Sequence, residues 1–97
     1  MYNAERWKNL EIWQLSDKLA HEVYKLAKSF PKEELCGITS QLRRAALSIP
    51  TNIVEGYSRK GDRELSRFID IALGSLGETT YLLQFSKDLT YINERGG

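Results

Sequence analysis

The sequence predicts an all-α fold, an antiparallel up-down bundle of three long helices. Two observations predict it. Apolar residues recur at steps of three and four in three separate segments, and strand-type alternation is absent throughout. The breaks between segments, at Phe30-Pro31 and from Gly56 to Gly61, are short. Three long antiparallel helices can close on one another.

The first helix is expected over about 10–29. Ile12, Leu15, Leu19, Val23, Leu26 and Phe30 form its main stripe, and Trp13, Ala20, Tyr24 and Ala27 widen it. Lys18, His21, Glu22, Lys25 and Lys28 fill the remaining, wet face. Phe30-Pro31 ends it, because the residue before proline resists the helical conformation. The second helix is expected over about 37–58, with Ile38, Leu42, Ala45, Ala46, Ile49 and Ile53 inward. Pro50 removes one backbone donor and crowds the preceding turn, so a kink is expected there. Ser48 and Thr51 are candidates to bond the freed groups. The alternative is two helices broken at Ile49-Pro50; one kinked helix is favoured because Ile53 stays in phase with Ile49 and Leu42. Asp62 is the expected N-cap of the third helix, which runs to about 89. Leu65, Phe68, Ile69, Ala72, Leu76, Thr80 and Leu83 line its expected core face.

A second apolar line is present on two helices. On the third it is Ile71, Ser75, Glu78, Leu82, Phe85 and Leu89; on the second, Leu47 and Val54. A helix in a closed monomeric bundle needs one buried face, so two lines imply a fourth helix or another subunit. Leu47, Val54, Ile71, Leu82, Phe85 and Leu89 are therefore the expected oligomer interface. Gly74 and Gly77 each cost about 1 kcal/mol against alanine inside a helix. The expected return is close approach of a neighbouring helix.

Ninety-seven residues make a single domain, 1–97, and a chain this short buries only about 60–65% of its unfolded surface. With 41% hydrophobic and 28% charged residues the composition is that of an ordinary globular protein. The N-terminus lacks a signal-peptide core, and no stretch approaches the roughly 20 apolar residues that span a bilayer. No membrane role is expected. The single cysteine, Cys36, cannot form an internal disulfide and suits a reducing cytoplasm. It is expected to be half-buried and unreactive.

The search for chemistry is mostly negative. His21 is the only histidine, and no second ligand stands at metal-binding spacing around it. Glu33-Glu34, before helix two, suits the positive end of its dipole. No serine has a nucleophile's context, so no catalytic residue, metal or cofactor is expected. A ribonuclease reading would rest on His21 alone, without the acid–base partner that RNA cleavage needs.

The positive signal is the distribution of charge. Residues 41–67 carry Arg43, Arg44, Arg59, Lys60, Arg63 and Arg67 against three acidic residues, whereas 68–97 carry two basic against four acidic. Arginine suits bidentate phosphate contacts, so these six are the candidate nucleic-acid-binding residues. The competing reading is a solvated face with salt bridges inside the bundle.

Several blocks read together carry a family resemblance. They are Glu11-Ile12-Trp13-Gln14, Phe30-Pro31, Gly37-Ile38-Thr39-Ser40-Gln41-Leu42-Arg43-Arg44-Ala45-Ala46, Ser48-Ile49-Pro50, Asn52-Ile53-Val54-Glu55-Gly56-Tyr57, and Ile71-Ala72-Leu73-Gly74-Ser75-Leu76-Gly77-Glu78. Over about 7–92 the chain resembles the four-helix-bundle family of bacterial 23S rRNA intervening-sequence proteins, related to the accessory protein of diversity-generating retroelements. The resemblance implies an up-down bundle assembled as a homo-oligomeric ring, typically a pentamer. It implies partners that are ribosomal RNA, other nucleic acid or a reverse transcriptase. It marks Gln41, Arg43, Arg44, Asn52 and Glu55 as a polar signature. It also implies a fourth helix beyond Tyr91-Ile92, for which the residues up to Gly97 leave no room. The expected architecture is thus the four-helix type with three long helices and the fourth truncated or absent. The function expected is a non-enzymatic, nucleic-acid-associated adaptor; the alternative is a protein–protein module that binds no nucleic acid.

Overall fold

The computed structural model describes residues 5–93, all of whose regular structure is helical. A 3-10 turn, Arg6–Asn9, leads into α1 (Glu11–Ala27). A second 3-10 turn, Lys32–Glu34, leads into α2 (Ile38–Ser58), and α3 (Asp62–Asp88) follows.

Each boundary has a local cause. After Ala27 the amides of Lys28, Ser29 and Phe30 bond carbonyls three residues back, tightening the last turn before Pro31 stops it. Pro50 is accommodated inside one continuous α2. Around it Thr51 Oγ1 donates to the Leu47 carbonyl at 2.8 Å and Asn52 Nδ2 to that of Ser48 at 2.7 Å. The Ser48 hydroxyl donates to no freed backbone group, contrary to expectation; it accepts from Asn52 Nδ2 and from Ser75 on α3, both at 2.8 Å. Asp62 is not the N-cap of α3. That position belongs to Gly61 at φ +94°, a backbone conformation open to glycine, and Asp62 is the first helical residue, at the dipole's positive end. The C-terminus of α3 is a Schellman motif. Thr90, at φ +65°, donates its amide to Lys87, and Tyr91 donates its amide to Ser86.

α2 is the central helix, and its expected core face is buried from Ile38 to Ile53. α1 and α3 both pack on it, yet no Cα of α1 lies within 8 Å of one of α3. The backbones of α1 and α3 stay apart, but their side chains meet over α2, where Ala20 and Val23 share a core with Leu42 and Leu82, and the two helices flank a groove floored by α2. Both flanking helices differ from expectation for the same reason. On α1 the buried line is Ser16, Ala20, Val23 and Ala27, continued by Phe30, whereas Ile12 and Leu15 are 51% and 60% exposed. On α3 it is Phe68, Ala72, Thr79, Leu82 and Ser86; Leu76 and Thr80 of the expected face are exposed. With half-buried Ser75 between Ala72 and Thr79, these lines alternate steps of four and three, the period that keeps a stripe on a neighbouring helix. Small residues occupy many of the positions because they let helix axes approach.

Beyond α3, Tyr91 packs on Phe30 with ring centroids 5.5 Å apart and donates its hydroxyl to Glu34 at 2.8 Å. That bond, with smaller contributions from burial and the negative charge, raises the Tyr91 pKa above 10.0. The contact ties the chain to the α1–α2 connection.

Candidate nucleic-acid interface

The turn between α2 and α3 projects its side chains from one end of the bundle. Arg59, Lys60, Arg63 and Arg67 are all exposed there. Two of them are held. Arg59 pairs with Glu55 at 3.2 Å and Arg67 with Glu64 at 3.3 Å, and their guanidiniums lie 5.3 and 4.9 Å from the centre of the Phe68 ring. Lys60 and Arg63 have no ion-pair partner among the described residues. The exposed pairs are worth about 0–1 kcal/mol each, too little to withhold those arginines from a polyanion. Arg6, which the charge pattern missed, joins the same end. Its guanidinium stands 4.9 Å from the centre of the Tyr57 ring, and its Nε donates to the Tyr57 carbonyl at 3.4 Å. Only the fold brings position 6 beside position 57.

Arg43 and Arg44 are placed elsewhere. Arg59 is fifteen residues beyond Arg44 on one helix, or roughly 22 Å along its axis. Arg43 is part of the α1–α2 packing. It donates to the Tyr24 carbonyl at 2.9 Å, its guanidinium lies 5.1 Å from the Tyr24 ring centre, and its Nε is buried with no partner among the described residues. Arg44 lines a polar cleft between α2 and α3. Adjacent arginines in a helix diverge by about 100°, so one turns to α1 and the other toward α3.

The expected oligomer interface also divides. Leu82 is 6% exposed and belongs to the core shared with Ala20, Val23 and Leu42, so its place on an outer line is corrected. Ile71 and Phe85 of α3, Leu89 just beyond its end, and Leu47 of α2 are exposed; Val54 is half-buried. Leu47 and Val54 share the side of α2 that carries Arg43, the side turned to α1. A larger apolar surface lies between the flanking helices, where the sequence had placed core. Ile12, Leu15 and Leu19 form one wall of a trough, Ile69, Leu73 and Leu76 the other, with Ile49 and Ile53 as its floor and a volume of about 410 Å³. Leu73 is 60% and Leu76 41% exposed. Nothing lies within 4 Å of where a Cβ would stand at Gly74 or Gly77, so the close approach expected there does not occur among the described residues.

The family model of the 23S rRNA-intervening sequence protein matches residues 8–96. The chain belongs to this family. The match takes in all three helices, the trough and the α2–α3 turn, and leaves Arg6 outside it. No curated protein matches the chain.

The remaining chemical candidates are simply placed. His21 is 79% exposed at its side chain, 3.5 Å from Asp17 one turn away. Cys36 is exposed, not half-buried as expected, because the connection between α1 and α2 turns it outward. No group of three metal-ligating side chains occurs among the described residues, and none of their helices is long and apolar enough to cross a membrane.

Proposed function

We propose that this protein is a non-enzymatic, self-assembling adaptor that holds RNA by its phosphates at the α2–α3 end. The observation that carries this is the gathering of Arg6, Arg59, Lys60, Arg63 and Arg67 at one end of a chain whose net charge is only +1. Point contacts to phosphates position a nucleic acid without reading its sequence. A single patch of this size binds weakly, and repetition in an assembly multiplies it. The family's description, with its reference to 23S rRNA, makes structured RNA the first ligand to test.

The test is a filter-binding series over salt concentration with the parent chain and a Lys60→Glu/Arg63→Glu variant. Parent affinity should fall steeply with salt. The variant should bind at least about tenfold more weakly, with a slope reduced by roughly 0.7–0.9 for each phosphate that is no longer neutralised. Weak, salt-insensitive binding by the parent would remove the proposal.

A second reading has its own support. The open trough favours a protein–protein module in which the basic end is only a solvated surface. In that case the same charge reversal would leave capture of a polypeptide partner intact.

A further inference from the structure

The cleft beside Arg44 lies on the opposite flank of α2 from the α1-facing side that holds Arg43, and far from the basic end. It arises because Ala45, Ser48 and Ser75 are too small to fill the α2–α3 junction; the two serines bond each other at 2.8 Å. The opening measures about 550 Å³, within the range of small-ligand sites. Gln41 and Arg44 reach it from α2 and Glu78 from α3. The stretches 37–46 and 71–78, both of which carry the family resemblance, are thereby brought face to face.

Two charges of opposite sign border this cleft without meeting. Arg44 and Glu78 form no ion pair with each other or with any described residue. Both side chains line the same cleft, Arg44 from α2 and Glu78 from α3. Arg44 presents a planar fork for a carboxylate or phosphate. Glu78 offers only acceptors, which call for an amine or another N–H donor. The Gln41 amide can serve either end.

We propose that this cleft is a binding site for a small ligand carrying an anionic group at one end and an N–H donor group at the other. Such chemistry is found in free amino acids and in mononucleotides. The proposal is independent of RNA binding at the α2–α3 turn.

Calorimetric titration of the full chain tests it, with the ω-amino acids glycine, β-alanine, γ-aminobutyrate and ε-aminocaproate as a ruler, and guanosine monophosphate as the nucleotide probe. Butyrate and butylamine supply one charge each. The best-fitting amino acid should bind at least about tenfold tighter than either single-charge control, because a second charged hydrogen bond is gained. Bound ligand should also slow alkylation of Cys36, which lines the same cleft. Arg44→Gln should abolish binding, and Glu78→Gln should make γ-aminobutyrate bind no better than butyrate. Both side chains are exposed, so the variants should melt with the parent. Binding of the nucleotide alone, lost in Arg44→Gln, would identify a nucleotide source. Nucleotide binding unaffected by Arg44→Gln belongs to the basic end and would overturn the site. So would amino acids that bind no better than butyrate, or no binding by any probe up to about 10 mM.

Discussion

At the scale of single residues, the most consequential positions are small. Gly56 sits where α2 crosses the start of α3, and a Cβ there would stand 3.0 Å from the Cβ of Phe68 and 3.2 Å from Cδ1 of Leu65. The leucine methyl can swing away, but the Phe68 Cβ is fixed to its backbone. Alanine would gain up to about 1 kcal/mol of helix propensity. Overpacking costs about 1–3 kcal/mol and should win. Gly56→Ala is therefore expected to lower unfolding free energy by about 1 kcal/mol in a denaturant titration. Thr90 is the converse case. Its φ of +65° strains a β-branched residue where helices usually place glycine. Thr90→Gly should raise stability by about 1 kcal/mol in the same experiment. Neither position announces itself in the sequence: Gly56 reads as the start of a turn, and Thr90 as an ordinary polar residue near the end.

At the scale of elements, the helices were legible and the faces of two were not. α2 shows its whole core because neighbours cover both of its sides, so every large apolar residue on its stripe is used. α1 and α3 each have one packed side and one apolar side left open. A reading that follows the largest residues finds Ile12, Leu15 and Leu76, which are the walls of the trough. The packed lines run instead through Ser16, Ala20, Thr79 and Ser86. A residue's size did not reveal which side of its helix the neighbour approaches. Gly74 and Gly77 belong at this scale too. With open space where a Cβ would stand, Gly74→Ala should raise the thermal midpoint of the dilute chain, consistent with about 1 kcal/mol of helix propensity. Loss of assembly in that variant, measured by light scattering, would place a neighbouring helix against Gly74.

At the scale of the whole molecule, the trough is the dominant fact. Ile12, Leu15, Leu73 and Leu76 keep between 41% and 60% of their surface in water. Covering them should stabilise the folded state by about 1 kcal/mol each, on the order of 4 kcal/mol together. That is a large share of what a short domain possesses. The parent chain is accordingly expected to have a solution mass above its 11.2 kDa and a melting temperature that rises with concentration. Leu15→Glu/Leu73→Glu should reduce the mass to that of one chain while circular dichroism retains the helices. A parent chain already at 11.2 kDa would end the assembly argument.

The order of amino acids by itself determined that the chain is helical, where the helices run, and which part of it is richest in arginine. Periodicity and turn residues are local, and local chemistry sets them. The tertiary structure alone decided that the backbones of α1 and α3 stay apart above a groove, that Leu82 turns inward, that Arg43 and Arg44 part company, and that Arg6 joins the basic end. Those outcomes depend on the rotation and spacing of one helix against another, which arise from side chains many positions apart meeting across an interface.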